Sequence, residues 1–356
     1  MAQQIKFSVF TDFHYKKGMY PSTITDIKQI IRRAKEEEAE FVVSLGDMCN
    51  DYIRSPELLD AYLKNDQNLS VYGIYGNHEL ETLGNDMPMV TPLLTNRSNQ
   101  VVWGTDSGED TDPYIAYYYF DSGSFRFIFL DANYSLNVST GEYEHYPPAS
   151  WGAPAGNIFP CSLGNKQKDW LKKVIFDASK EEKHCIICSH PSFSGIWQEC
   201  ADAEWVRGVF REANELKKNT VILALNGHLH SNHNAVIEDV VYLDISAVRS
   251  GWWQSIPFYP YKEKDIDNPE YIFKFTEYDQ GGRPAQSFWR PLSSLTMGNQ
   301  SLFFNDPLSA MITVYDNGSV RVKGAKTDWM YNLSAPVENS DEYIKINDFV
   351  LDKEEV

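Results

Sequence analysis

The sequence predicts an α/β fold, on three observations from its 356 residues. Short apolar runs alternate with segments whose apolar residues recur at helical spacing, the order expected of strands joined by helical crossovers. Several of these runs stop abruptly at a small or polar residue accompanied by Asp, Asn or His. Apolar residues make up 42% of the chain, ample for a core, so one large domain with insertions and two smaller ones both fit the length.

The run from Ile5 to Phe10 reads as a strand closed by Thr11-Asp12-Phe13-His14. Thr25 to Glu38 reads as an amphipathic helix, with Ile27, Ile30, Ile31 and Ala34 on one face. Phe41 to Leu45 is a second strand, closed by Gly46-Asp47, and Pro56 to Leu63 suits a helix with proline in its first turn. Val71 to Tyr75 is a third strand, closed by Gly76-Asn77-His78-Glu79. This strand-helix alternation predicts a parallel sheet with right-handed crossovers.

From Asn85 to Pro113 the pattern dissolves into a long loop. Ile115 to Phe120 and Phe125 to Leu130 then flank Asp121-Ser122-Gly123-Ser124 as a hairpin, the second strand ending at Asp131. Ala132 to Leu163 is again irregular, rich in Tyr, Pro and Trp; segments this long are usually lids or binding loops. Gly164 to Ala178 reads as a helix with Trp170, Leu171, Val174 and Ile175 facing inward, and His184 to Ser189 as a strand ending at His190-Pro191. Helix Ala203 to Leu216 leads to the strand Val221 to Leu225, which stops at Asn226-Gly227-His228-Leu229-His230. Val236 to Ile245 gives two short strands about Glu238-Asp239. An aromatic, proline-rich stretch follows Gly251, and a last hairpin, Met311 to Tyr315 and Val320 to Val322, turns at Asp316-Asn317-Gly318. The organisation expected is a catalytic core over residues 1–250, with insertions at about 85–113 and 132–163, and a C-terminal part over 251–356 packed on the same domain.

A formal charge of −18 without any Lys/Arg run argues against nucleic-acid polymers and anionic membranes as partners. A small anionic substrate remains compatible if metal ions supply local positive charge. Met1 leads almost directly into a strand, with no signal peptide and no membrane span, so the cytoplasm is the expected location. The five cysteines do not read as a disulfide framework. Cys185 and Cys188 form a C-x-x-C within a strand, where residues three apart point to opposite faces; both are expected in the core.

Five strand ends thus present Asp12 and His14, Asp47, Asn77 and His78, His190, and His228 and His230. Neighbouring strands lie about 5 Å apart, close enough for these side chains to share a coordination sphere. The donors are imidazole, carboxylate and amide without thiolate, which suits Mn, Fe or Zn in an open catalytic site. They outnumber what one metal with an open position can take, and match two metals sharing a bridging carboxylate. His145, His184 and His233 lie outside the pattern and read as ordinary polar residues, His233 standing nearest the site.

The order Asp-x-His, Gly-Asp, Gly-Asn-His-Glu, Ser-His, Gly-His-x-His resembles the calcineurin-like metallophosphoesterase superfamily over residues 5 to about 250. The resemblance implies two packed mixed β-sheets flanked by helices, a four-layer architecture with the dimetal site at the strand ends. Asp12, His14 and His230 would hold one metal, Asn77, His190 and His228 the other, and Asp47 would bridge both. His78 would stand beside the scissile phosphate, stabilising the transition state or protonating the leaving oxygen. The two metals would turn a shared water into a bridging hydroxide nucleophile. In many relatives an Asp three residues after the bridging Asp orients this histidine; here Asn50 stands there, with Asp51 beside it.

Within the superfamily, protein Ser/Thr phosphatases carry an arginine in the Gly-Asp motif that the stretch Gly46 to Tyr52 lacks. Tyr15, at the position of the purple acid phosphatase tyrosine ligand, is displaced in that role by His14. In spacing and texture the chain is similar to ADP-ribose/CDP-alcohol diphosphatases and to cyclic-nucleotide phosphodiesterase-like members. The implied activity is hydrolysis of a phosphodiester or pyrophosphate bond in a small nucleotide-like molecule. A phosphomonoesterase and a non-catalytic metal-binding scaffold stay open as alternatives. Glu79 and Asp131 are candidates for fixing ligand histidines, with a strand-end turn as the alternative. Arg249 is a candidate phosphate contact, weighed against a surface ion pair. Tyr134, Tyr143, Tyr146 and Trp151, or Trp252, Trp253 and Tyr259, form either a nucleobase-stacking wall or small loop cores.

Overall fold

The computed structural model describes residues 3–15, 22–48, 56–80, 94–104, 116–136, 143–145, 161–196, 199–252, 272–278, 284–291, 301–304, 306–328 and 345–353. Its centre is a pair of mixed sheets. In the first, strand Gln4–Phe10 runs parallel to Phe41–Ser44, which runs parallel to Ser70–Gly73. On its other side Gln4–Phe10 pairs antiparallel with Ala310–Tyr315, followed outward by Val320–Gly324 and Phe349–Leu351. The second sheet has Phe125–Phe129, His184–Cys188, Val221–Asn226 and Val240–Asp244 parallel at its centre. Antiparallel strands finish both edges: His233–Ile237 on one, Tyr118–Ser122 and Val102–Trp103 on the other.

The sheets meet through alternate residues of each strand. Phe127, fully buried, has its ring 5.1 Å from that of Phe7 and 5.0 Å from that of Phe41, both edge-on. Phe127, Phe129, Cys188, Leu223 and Leu225 belong to this inner cluster, which also takes Ile27, Ile30 and Ile31 of helix Ile24–Glu36. The intervening residues Ile128, Cys185, Ile187, Val221 and Ala224 face the other way. There they pack with Trp170, Leu171, Val174 and Ile175 of helix Asn165–Lys180 and with Val206, Val209 and Phe210 of helix Ala203–Leu216. Cys185 and Cys188 therefore lie on opposite faces of one strand, as the period-two rule requires. With helices outside both sheets the result is the mixed-sheet α/β fold that the sequence motifs implied.

Local chemistry sets the element ends. Asp26 reaches back to the Thr23 N–H at 2.7 Å, starting the first helix one residue earlier than the periodicity predicts. That helix stops at Glu36 rather than Glu38, whose φ of +61° leaves the helical region. The hairpin at Asp121 is tighter than expected: the strands continue through Ser122↔Phe125, leaving Gly123-Ser124 as the turn. Glu238 and Asp239 both take left-handed backbone (φ +49° and +65°), the twist a two-residue hairpin needs. Among the described residues no helix is long and apolar enough to cross a membrane.

Candidate metal centre

The strand ends of both sheets converge on one buried spot, held by main-chain bonds between turns. Asp12 N–H donates to Gly46 O at 3.0 Å and His14 N–H to Asp47 O at 2.8 Å, joining the first and second strand ends. Gly227 N–H donates to His190 O at 3.0 Å, and His228 N–H donates to Asp12 Oδ2 at 2.9 Å, which ties one sheet to the other. Five of the residues involved have positive φ: Asp12 (51°), His14 (47°), Asp47 (52°), His228 (70°) and His230 (50°). Such backbone reverses a strand end within one residue, and L-residues adopt it at a cost. Glycines let the turns touch. A Cβ on Gly76 would lie 2.1 Å from Asp47 Oδ1, and one on Gly227 would lie 2.0 Å from Thr11 Oγ1.

Each carboxylate has one oxygen bound by the chain and one turned to the centre. Asp12 Oδ2 accepts from Thr11 Oγ1 (2.7 Å) and from His228 N–H, while Oδ1 lies 3.2 Å from His230 Nε2 and 3.7 Å from His14 Nε2. Asp47 Oδ1 accepts His78 N–H (2.9 Å), while Oδ2 lies 3.2 Å from His190 Nε2 and 3.7 Å from His14 Nε2. His190 donates Nδ1–H to Leu45 O at 2.7 Å, which fixes the ring's orientation and turns Nε2 inward. His14 and His230 set their Nε2 atoms 2.9 Å apart. That is close to the roughly 3 Å between adjacent ligands of one ion at metal–nitrogen bonds of about 2.0–2.1 Å.

Among the described residues three groups of donor atoms emerge: Asp12, His14 and His230; Asp47, His190 and His228; and His14, Asp47 and His78, the atoms of each within 4.8 Å of one another. Asp12 Oδ1, Asn77 Oδ1 and His190 Nε2 are buried without a hydrogen-bond partner. Buried polar atoms normally have partners, so inward-facing orphans in a thiolate-free donor set fit hard or borderline transition ions.

Electrostatics sharpen the picture. Burial alone would push the Asp12 carboxyl up, but His230, His14 and His190 outweigh it and hold it well below the usual range. Burial is likewise overcome at Asp47, chiefly by His190 and His78, and its carboxyl is held low. At His190 burial favours the neutral ring, yet the Asp47 and Asp12 carboxylates push it up to about 10. Burial, then the neighbouring His190, lowers His228 to about 3, and burial lowers His230.

Residues outside the cluster fare differently. Glu79 accepts the main-chain N–H groups of Asp47 and Met48, at 2.9 and 2.5 Å. Burial and the Asp47 charge push its carboxyl up to about 8. Asp131 Oδ1 accepts both N–H (3.1 Å) and Nδ2–H (2.8 Å) of Asn133, a strand-end turn. Arg249 forms an ion pair with Asp26 at 2.7 Å and donates to Phe304 O at 2.6 Å. This pair is largely buried at the start of the first helix rather than on the surface, its two side chains 12% and 3% exposed. Tyr15 donates its hydroxyl to Glu57 at 2.9 Å. His184 is bonded to Asn219 O at 2.7 Å, and His233 Nδ1 lies 3.0 Å from Asp244 Oδ2 beside Ser194. Sequence reasoning passed over Asp244, a buried acid pairing with a flagged histidine across a hairpin; its place in a strand gave no signal. Asn50 and Asp51 lie outside the described residues, as do Tyr146, Trp151, Trp253, Tyr259 and most of both long loops.

A family model for calcineurin-like phosphoesterases matches residues 5–232, which carry every motif that converges here. The chain belongs to the calcineurin-like phosphoesterase family. As a family member it is a phosphoester hydrolase, and its chemistry is metal-dependent. It is 23% identical over 264 residues to the manganese-dependent ADP-ribose/CDP-alcohol diphosphatase of Bos taurus, covering 64% of this chain and 77% of that protein. It is 26% identical over 221 residues to the Arabidopsis thaliana protein of the same name, covering 54% of this chain and 65% of the other. Among solved structures, a dimetal phosphatase from Danio rerio shares the fold with a TM-score of 0.55 at 16% identity, over 92% of this chain and 98% of that one.

Proposed function

We propose that this phosphoesterase hydrolyses a phosphodiester or pyrophosphate bond in a small nucleotide-like substrate, using two transition-metal ions, manganese foremost. The observation that carries the reading is the pair of buried donor groups, Asp12–His14–His230 and Asp47–His190–His228. Asp47 also joins a group with His14, which suits it to be shared. In this reading Asn77, whose Oδ1 is an orphan, completes the second group as a neutral ligand and keeps the total ligand charge low. Two ions so held would supply Lewis acidity and an activated water to phosphoester hydrolysis.

The chain's own residues do the remainder. Asp47 holds the main chain of His78, whose ring stands edge-on to His14 with centroids 4.7 Å apart. Placed there, His78 donates a proton to the leaving oxygen or a hydrogen bond to the phosphoryl group. On a chain of net charge −18 an anionic substrate needs local positive charge, and Arg249 is engaged by Asp26. The residues of the two donor groups, once they hold metal, would then provide the phosphate anchor. A diphosphatase is favoured over a phosphomonoesterase because the curated relatives are diphosphatases by name.

The test compares hydrolysis of bis-p-nitrophenyl phosphate and p-nitrophenyl phosphate by manganese-loaded protein, then of ADP-ribose. The diester is expected to turn over faster, with His78→Ala lowering kcat about 10²–10⁴-fold and Asp47→Asn abolishing turnover together with metal uptake. A clear monoester preference would move the assignment to a phosphomonoesterase. Loss of turnover with both ions still bound in Asp47→Asn would remove Asp47 from the ligand set.

A further inference from the structure

We infer that Glu79 is the positioning residue that assembles the shared part of the metal centre, a role that rests on the ligand reading proposed above. Its side chain is fully buried, at 0% exposure. One carboxylate oxygen accepts the N–H of Asp47 at 2.9 Å and of Gly76 at 2.5 Å, and the other accepts the N–H of Met48 at 2.5 Å. The three donors come from two different turns. Asp47 and Met48 follow strand Phe41–Ser44, and Gly76 follows strand Ser70–Gly73.

These turns are in contact: a Cβ on Gly46 would lie 2.5 Å from Gly76 N, and one on Gly76 would lie 2.6 Å from Asp47 N. Their amides point at one buried spot, and buried N–H groups left without an acceptor are costly. One carboxylate serves all three. The arrangement closes on itself, because Asp47 Oδ1 in turn accepts the N–H of His78, the residue before Glu79. Glu79 thus latches the turn that presents Asp47 Oδ2 to the turn that presents Asn77 and His78, without being a ligand itself.

The chemistry separates this role from mere space filling. Gln keeps the shape of Glu but offers one acceptor oxygen, and its amide hydrogens face an N–H donor. Asp keeps both oxygens but falls one methylene short. The experiment uses the full chain stripped of metal, as wild type, Glu79→Gln and Glu79→Asp. Calorimetric titration with Mn²⁺ alone is paired with amide hydrogen exchange of the metal-free proteins.

In wild type the amides of Asp47, Met48 and Gly76 are expected to exchange slowly. In Glu79→Gln they exchange faster while the strands stay protected, and Mn²⁺ affinity falls 10–100-fold. Glu79→Asp recovers part of both. Mn²⁺ affinity within twofold of wild type in Glu79→Gln would overturn the inference, since the latch would then not position ligands. So would rapid exchange of the three amides in wild type, a result that needs no folded variant. If wild type takes up no Mn²⁺, the ligand reading falls and this role with it, whereas the exchange contrast still reports whether the latch exists.

Discussion

Asp12 and Asp47 each give one oxygen to main-chain N–H groups and turn the other inward, so their orientation is built before any cation arrives. Gly76 is what allows it at Asp47. Gly76→Ala places a methyl 2.1 Å from Asp47 Oδ1 and 2.6 Å from Asp47 N, atoms of a turn that cannot yield. Its expected result is loss of Mn²⁺ uptake in calorimetry with the sheets still folded by circular dichroism. A pH effect belongs to this scale too. His190 is raised to about 10 from 6.5, so the metal-free folded state holds a proton that the unfolded chain has released. Its stabilisation is fully present below the unfolded value and is lost as pH rises through the folded one. His228, lowered to about 3, changes nothing above neutrality. Thermal melting of the metal-free protein should therefore show stability falling from pH 7 to pH 10. Mn²⁺-loaded protein should fall less, because metal affinity rises as ligands lose protons. An apo Tm that rises over this interval would falsify the charge assignment.

At the scale of elements, strands do two jobs: they bury alternate faces and end where ligands begin. Phe127 serves the first job, edge-on to Phe7 and Phe41 across the two sheets. Phe127→Ala should cost about 3–5 kcal/mol in denaturant unfolding, with Mn²⁺ affinity of the folded fraction unchanged. The second job stores strain, since the positive φ of Asp12, His14, Asp47, His228 and His230 costs of order 1–3 kcal/mol each. Replacing His230 by Asn, which tolerates left-handed backbone better, should raise the Tm of metal-free protein while weakening Mn²⁺ binding. A lower apo Tm would mean that the imidazole stabilises more than its backbone costs. The element boundaries were legible from sequence at Pro56–Leu63 and Ala203–Leu216, where chain-local chemistry sets them, and within two residues at the first helix. They were less so at Tyr118–Ser122, where cross-strand pairing decides how far the strand runs.

For the whole molecule, the strand carrying Asp12 has a partner far away in the chain. Gln4–Phe10 pairs with Ala310–Tyr315, beyond the residues 5–232 that the family model matches, and Asp316 accepts the N–H of Gln3 at 2.9 Å. Removing residues from 306 onward would expose one edge of that strand and of its apolar face. Such a truncation is expected to aggregate on expression; a soluble, Mn²⁺-binding 1–305 fragment would show that the C-terminal hairpin is dispensable.

The sequence by itself determined the kinds of ligand and the order in which strands deliver them, because donor type and strand-end position are local properties. It also determined the inner and outer faces of the strands, through period two. Tertiary structure alone decided which oxygen of each carboxylate faces the centre, that Glu79 gathers amides from two turns, and that Arg249 lies against Asp26. Each of these is a contact between segments distant in the chain, set by how the two sheets and their turns pack, and no local pattern encodes it.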